Sequence, residues 1–172
     1  MLLSQTCGPC RASNYPALLR KALLECGYDP IPVLTINSSG TDSQPGLRPD
    51  KAMLWRMLLG MLAGDMLQRL SLFTGTYECS AGQTEDRVQH WLQTISPVIR
   101  QGDEAALRQL LPRLVRDFAS IRTHISPRPR VAVVGEILLT YHSDANNHIV
   151  EQIRQEGGEP LLPDFTNFML YC

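Results

Sequence analysis

The sequence predicts an α/β protein in which two parallel-sheet units are separated by a helical insertion. A helix pattern and a short β-branched strand lie near the N-terminus, only helical periodicity occurs in the middle, and a strand, helix and strand follow near the C-terminus. The predicted boundaries are residues 1–45 for the end of a first α/β unit, 46–126 for a helical block, and 127–172 for the start of a second, βαβ unit.

Composition narrows the functional classes before any motif is considered. The 172 residues carry 16 Lys and Arg against 17 Asp and Glu, so the formal net charge of -1 provides no field that would attract nucleic acid. The most apolar stretch is interrupted by Arg56, Asp65 and Arg69, which are costly at bilayer depth, so no membrane partner is expected. The N-terminus lacks a basic region followed by an apolar run, and a cytoplasmic protein is therefore expected.

The first unit contains a predicted helix over residues 15–26. Its apolar residues recur at helical spacing, Pro16 suits the first turn, and Gly27 is a stop signal. Residues 31–36 are β-branched and lie between turn residues, which predicts a short strand.

The helical block contains three predicted helices. The first runs from about residue 50 to 73 with Asp50 as its N-cap, and residues 75–82 are expected to break the pattern. A second helix begins at Thr84, and a third begins near Asp103, where Pro112 either kinks the helix or marks its true start. One face of the first helix is rich in methionine and is expected to lie in the core or between helices, and the alternative is a docking surface for the missing half of the protein. The face comprises Met53, Met57, Met61 and Met66.

The second α/β unit begins with the apolar run 130–136. This run is typical of a buried parallel strand whose carboxyl end opens into a loop. A helix over 146–156 ends at Gly157 and Gly158, and residues 159–163 are a candidate second strand. The order gives a βαβ unit, which belongs in a parallel sheet. The chain stops inside an apolar run, so a truncation is expected.

The spacing of Cys7 and Cys10 before a helix is the main chemical signal. Two thiols three residues apart can form a redox dithiol, with one thiol pKa lowered by the helix N-terminus, or can ligate one metal or iron-sulfur centre. A thioredoxin-like enzyme needs strands upstream of the motif, and the six residues before Cys7 disfavour that function. The odd count of five cysteines argues against a disulfide framework.

Polar residues of the second unit are further candidates. Glu136 ends the predicted strand, where α/β sheets present functional groups, or it caps a nearby helix. His142 and His148 flank a loop with an acid, which could bind metal if a third ligand were added. The alternative for His148 is an ordinary polar residue at a helix start.

Several segments, spread from the cysteine motif to the last predicted strand, carry a family resemblance. They are Thr6-Cys-Gly-Pro-Cys-Arg11 with Asn14-Tyr15 and residues 18–23, then Tyr77-Glu78 with residues 82–86, then residues 134–137, 146–150, 156–159 and 162–163. In this order they resemble the cysteine segment, the link between two central helices, the Gly-Glu strand end, the Asn-His helix start and the next strand of the 2-hydroxyacyl-CoA dehydratase superfamily. The resemblance covers nearly the whole chain and looks closest to the CoA-substrate-specific enzyme activases and double-cubane cluster proteins.

The resemblance implies Rossmann-like α/β units that hold an oxygen-sensitive iron-sulfur cluster of the 4Fe-4S or double-cubane type, as used in anaerobic metabolism. Cys7 and Cys10 would be cluster ligands, and Glu136 and His148 would lie on the substrate side. In that family an ATP-hydrolysing activator supplies a low-potential electron, and the cluster protein passes it to a CoA thioester or a similar small molecule.

The resemblance also implies which partners are needed. The sequence carries no Gly-rich nucleotide loop, so ATP chemistry is expected on a separate activator domain or subunit. The family's other ligand-bearing segments lie upstream of the cysteine motif. This chain is therefore expected to bind iron weakly or not at all unless it is joined to an upstream cluster-binding region.

Three functional classes stay open at this point. The first is an iron-sulfur component of an ATP-driven reductase or dehydratase, which by resemblance is inactive alone. The second is a CxxC dithiol oxidoreductase, and the third is a non-catalytic fragment that packs against a partner. Iron content after anaerobic purification separates the first two.

Overall fold

The computed structural model describes residues 1–4, 11–28, 30–36 and 50–167. The chain divides into two compact units, residues 1–49 and residues 50–171. The first unit is a small βαβ arrangement. The second contains the helical block together with the C-terminal α/β part.

The first unit contains β1 (Leu2–Ser4), a 3-10 helix (Arg11–Asn14), α1 (Tyr15–Glu25) and β2 (Leu34–Ile36). β1 and β2 pair in parallel, with Leu3 opposite Thr35. The predicted helix is confirmed, and it ends where Gly27 adopts a φ of +78° that favours glycine. The predicted strand is shorter than expected.

One expectation for this unit, that no strand precedes the cysteine motif, is wrong. β1 occupies three of the six residues that precede Cys7. A strand this short has no alternation that a sequence pattern can detect, and it forms because β2 provides the hydrogen-bonding partner.

The second unit is built on three helices, α2 (Lys51–Tyr77), α3 (Gln83–Gln101) and α4 (Glu104–Ala119). Residues four apart on α2 form its buried stripe, and they pack against one face of α3 and of α4. The buried core comprises Leu59, Ala63, Leu67, Trp91, Ile95, Leu107, Leu114, Phe118 and Ile121.

Two predicted helix starts are confirmed by their caps. The Asp50 carboxylate accepts a hydrogen bond from the Met53 backbone N–H at 2.6 Å, and the Asp103 carboxylate accepts one from Ala106 at 2.9 Å. Pro112 lies inside α4 and does not mark its start.

Two expectations about the helical block are wrong. α2 continues through Gly75 to Tyr77, and the absent side chain at Gly75 leaves room for the Arg154 guanidinium. None of the four residues of the methionine-rich face is buried, although Met66 packs against the core. The small and branched residues of the neighbouring face take the interior instead.

The C-terminal α/β part contains β3 (Arg130–Ala132), α5 (Ile137–Tyr141), α6 (Ile149–Gln155) and β4 (Glu159–Leu161). β3 and β4 pair in parallel as predicted. The expectation that the first strand is buried is wrong, since all three residues of β3 are exposed. An apolar run indicates that a strand is suited to burial. The strand becomes buried only where a helix or another element packs on it.

Polar contacts attach this part to α2. The Tyr77 hydroxyl donates to the Glu159 carboxylate at 2.8 Å. The Arg154 guanidinium donates to the Ser71 carbonyl at 3.1 Å. The Asp65 carboxylate accepts the backbone N–H groups that follow Asp164, each at 2.8 Å.

The chain is mostly helical, with one two-stranded parallel sheet in each unit, which agrees with the α/β prediction in its coarse form. Across the described residues no sheet has more than two strands, so the Rossmann-like units are not confirmed. Among the helices in the described part of the chain, none is both long and apolar enough to cross a bilayer.

Candidate functional site

The cysteine motif lies between two described elements. Cys7 and Cys10 themselves are outside the described residues. β1 ends at Ser4, three residues before Cys7, and the 3-10 helix begins at Arg11, directly after Cys10. In sequence, the motif therefore lies between a parallel strand and the helical segment that follows it.

Two hydroxyls of the same unit are buried without a hydrogen-bond partner. One is the Tyr15 hydroxyl on the first residue of α1, and the other is the Thr35 hydroxyl on β2. Thr35 is 8% exposed as a residue. An unpaired buried hydroxyl is unfavourable, so each of these groups needs an explanation. Sequence reasoning missed both, since no pattern reports the pairing state of a single hydroxyl.

Glu136 is the N-cap of α5. One carboxylate oxygen, Oε2, accepts the backbone N–H groups of Leu138 at 3.1 Å and of Leu139 at 3.4 Å. The other oxygen, Oε1, is buried without a partner. The capping alternative is therefore what the structure describes, and the catalytic role of Glu136 stays a prediction.

His148 is the residue directly before α6. This position agrees with the alternative that His148 is an ordinary polar residue at a helix start. Its side chain is 60% exposed, with Nε2 3.5 Å from a carboxylate oxygen of Asp144. His148 and Asn147 have φ angles of 55° and 56°, a region that residues other than glycine adopt uncommonly. The substrate role of His148 stays a prediction.

Glu136 and His148 lie at opposite ends of one connection, between β3 and α6. The Asn146 side-chain amide, which precedes His148 by two residues, donates to the Leu139 carbonyl of α5 at 3.1 Å. This bond fixes the loop that carries His148 to the helix that Glu136 caps.

The described residues contain no group of three or more His, Cys, Asp or Glu side chains that could hold a metal ion. The loop hypothesis for His142 and His148 therefore finds no third ligand there. Cys26 and Cys79 are free thiols, and both are exposed.

Two groups with shifted pKa values, Tyr77 and Arg154, lie where α2 meets the C-terminal part. The hydrogen bond to Glu159 raises the pKa of Tyr77 above its ordinary value. Burial lowers the pKa of Arg154, which donates hydrogen bonds to the Ser71 and Leu72 carbonyls and to the Thr76 hydroxyl. These contacts join α2 to the C-terminal part, and we assign them a structural role.

No family model matches this chain, and neither a curated protein nor a solved structure is similar to it.

Proposed function

We propose that this chain is an iron-sulfur component of an ATP-driven reductase or dehydratase system that acts on CoA thioesters or similar small molecules. The observation that carries the proposal is the position of the cysteine pair. Cys7 and Cys10 lie in sequence between the carboxyl end of β1 and a helix start, in a segment that resembles the cysteine segment of the dehydratase superfamily.

The donor set suits an iron-sulfur cluster only in part. Cys7 and Cys10 offer two thiolates, and a cubane needs three or four ligands. The described residues offer no further ligand group, so the remaining ligands come from outside them or from an added thiol. A bound cluster would supply one-electron transfer at low potential.

The substrate side of the proposal rests on Glu136 and His148. The unpaired oxygen of Glu136 can accept a hydrogen bond, and the exposed imidazole of His148 can exchange a proton with a ligand. Electrons would come from an ATP-hydrolysing activator on another domain or subunit, because no phosphate-binding Gly-rich loop occurs in the sequence.

Iron and sulfide analysis of the anaerobically reconstituted chain tests the proposal. A small thiol is added to complete the ligand set, and electron paramagnetic resonance is recorded after chemical reduction. We expect Cys7→Ser and Cys10→Ser each to lose most of the bound iron. The matched controls Cys26→Ser and Cys79→Ser change thiols that are exposed and outside the motif, and they should retain it.

Two outcomes are decisive. If Cys7→Ser and Cys10→Ser keep the wild-type iron content and resonance signal, the motif is not a cluster ligand and the proposal is wrong. If Cys26→Ser or Cys79→Ser depletes iron as strongly as the motif variants do, the iron is bound without regard to the motif, and the proposal fails equally.

A dithiol oxidoreductase is the second candidate, and β1 is the observation that favours it. The main argument against this function was the lack of an upstream strand, yet β1 precedes the motif and pairs in parallel with β2. Insulin-disulfide reduction distinguishes the candidates. Rapid reduction by an iron-free chain supports the dithiol, whereas iron binding without reduction supports the cluster component. A chain that does neither fits a fragment that packs against a partner.

A further inference from the structure

The two-stranded sheet of the C-terminal part has one closed edge and one open edge. We propose that the open edge, the outer side of β3, is an interface with a second copy of this chain. The second copy adds its own β3 in antiparallel orientation, with Ala132 on the two-fold axis. The inference does not depend on the proposed cluster, because it uses only residues of the second unit.

The pairing of β3 with β4 shows which backbone groups of β3 are left over. The Val133 N–H donates to the Leu161 carbonyl of β4 at 2.9 Å. Alternate residues of a strand point to the same neighbour, so Val131 faces β4 as well, and the backbone groups of Arg130 and Ala132 point away from it. In the described part of the chain, no strand pairs with that outer side.

The other edge of this sheet, the outer side of β4, is closed. Pro160 is the β4 residue whose backbone points away from β3, and a proline has no N–H group to offer a further strand. Pro160 is also among the most fully buried side chains. The open edge of this sheet is therefore that of β3.

β3 lacks the features that keep edge strands apart. All three of its residues are exposed, and residues 130–134 contain no proline or lysine. Val134, directly after the strand, is 79% exposed. The only charged residue of the segment is Arg130, whose guanidinium lies 3.5 Å from the Glu159 carboxylate. An exposed edge of this composition is a template for pairing with another chain.

The edge is complementary to itself, which indicates a second copy as its occupant. In an antiparallel pair centred on Ala132, the two Ala132 residues exchange both of their backbone hydrogen bonds. Arg130 then lies opposite Val134 of the second copy, so the two arginines stay apart. Val131 lies opposite Val133, a pair of β-branched side chains that is favourable across strands. The same surface serves both copies, as a two-fold interface requires.

The expected strength of the dimer follows from the size of the interface. Main-chain hydrogen bonds provide the affinity when a strand is added to a sheet edge. One strand pair covers less than the roughly 800 Å² per partner of a standard interface, so the dimer should dissociate on dilution.

Sedimentation velocity of the full chain, reduced and free of iron, tests the proposal over a range of micromolar concentrations. The reductant keeps the exposed Cys26 and Cys79 from forming disulfides between copies. The wild type should shift from monomer to dimer. Ala132→Lys and Ala132→Glu each place two like charges across the axis, and each should raise the dissociation constant by at least about tenfold. Residue 132 is exposed, so both variants should fold, which circular dichroism verifies.

An equal mixture of the two charge variants gives the sharpest result. It places opposite charges across the axis and should restore the dimer. The matched control Leu54→Lys adds the same charge to α2, where Leu54 is 50% exposed, and should leave the dissociation constant unchanged.

Amide hydrogen exchange of the wild type, measured by nuclear magnetic resonance, needs no variant. The Ala132 N–H should exchange more slowly at high protein concentration, because only the dimer supplies its acceptor. The Val131 N–H faces β4 and should exchange at the same rate at both concentrations.

A chain that stays monomeric at all of these concentrations would overturn the proposal, since water or another polypeptide would then occupy the edge. A dimer that persists in each charge variant alone, or that Leu54→Lys abolishes, would place the interface elsewhere and overturn it too. Iron plays no part in these measurements, so a failure here leaves the cluster proposal intact, and the reverse also holds.

Discussion

At the scale of single residues, carboxylates hold the C-terminal part of the second unit to α2. Asp65 is 9% exposed, and both of its oxygens accept backbone N–H groups, from Phe165 and from Thr166. Glu159 is buried and accepts the Tyr77 hydroxyl, with Arg130 3.5 Å away. A buried acceptor that loses its donors is unfavourable, so substitutions at these contacts should lower the free energy of unfolding of the whole unit.

Asp65→Asn gives the first prediction. The amide retains one oxygen but turns an N–H₂ group toward a backbone N–H, so one hydrogen bond is lost and two donors face each other. We expect the free energy of unfolding in urea to fall by about 1 to 3 kcal/mol. Asp144→Asn is the control, because Asp144 is exposed and lies beside the His148 side chain. Equal stability of both variants would contradict the capping role of Asp65.

The second prediction concerns alkaline pH and Tyr77. Its pKa is raised by the hydrogen bond to Glu159, so the folded chain retains a proton that the unfolded chain loses above the ordinary value of 10.0. The unfolded state then binds fewer protons than the folded state, and the free energy of unfolding falls as pH rises past that value. Tyr77→Phe removes this contribution, and its stability should fall less steeply with pH.

Urea titrations at several alkaline pH values measure the slope in Tyr77→Phe and in the wild type. Burial raises the pKa of Tyr141 in the same direction, so part of the alkaline loss should persist in the variant. Parallel curves for the two proteins would show that the Tyr77 hydroxyl does not titrate differently in the folded and unfolded states.

At the scale of elements, two glycines of α2 differ in their surroundings. A Cβ at Gly64 would meet nothing within 4 Å, whereas a Cβ at Gly75 would lie 3.1 Å from Nη2 of Arg154. That guanidinium is held by the carbonyls of Ser71 and Leu72, so it has little freedom to move aside. The same substitution should therefore have opposite consequences at the two positions.

The third prediction is that Gly64→Ala stabilises the chain by about 1 kcal/mol, the difference in helix propensity between the two residues. Gly75→Ala should gain nothing or destabilise, because Arg154 must leave its carbonyl acceptors. Thermal and urea unfolding of the two variants measure the difference. Equal stabilisation at both positions would show that the Arg154 side chain can move away from α2 without lowering the free energy of unfolding.

The elements that could be predicted from the sequence are those with local signals. The starts of α2 and α4 follow from Asp50 and Asp103, whose capping bonds reach only three residues. β1 and the exposure of β3 could not be predicted, because a three-residue strand and its burial depend on distant partners. The contact of Arg154 with α2 beside Gly75 could not be predicted either, because Arg154 lies far away in sequence.

The candidate site divides in the same way. The cysteine pair can be found from its spacing in the sequence. Glu136 can be found because it ends a run of residues with a strand pattern. The capping bonds of Glu136, the φ angle of His148 and the unpaired hydroxyls of Tyr15 and Thr35 are properties of packing. They could be found only once neighbouring elements were in place.

At the scale of the whole molecule, the two units differ in how much core each contains. The buried cluster of the second unit lies entirely within α2, α3, α4 and the residues directly after α4. In the first unit, the buried apolar residues among those described are Ala12, Pro16 and Val33, and its sheet has two strands there. A unit of this size and burial is marginal by itself.

The last prediction follows from this difference. A chain that begins at Asp50 and runs to the C-terminus should keep its helical circular dichroism and unfold cooperatively, because the core and the polar contacts to α2 are retained. A peptide of residues 1–49 should show no cooperative transition, since two short strands and one helix bury too little apolar surface to offset the entropy of ordering. Thermal and urea unfolding of the two pieces test this. A cooperative transition in the short peptide would show that the first unit folds independently, and loss of structure in the long piece would show that its core depends on the first unit.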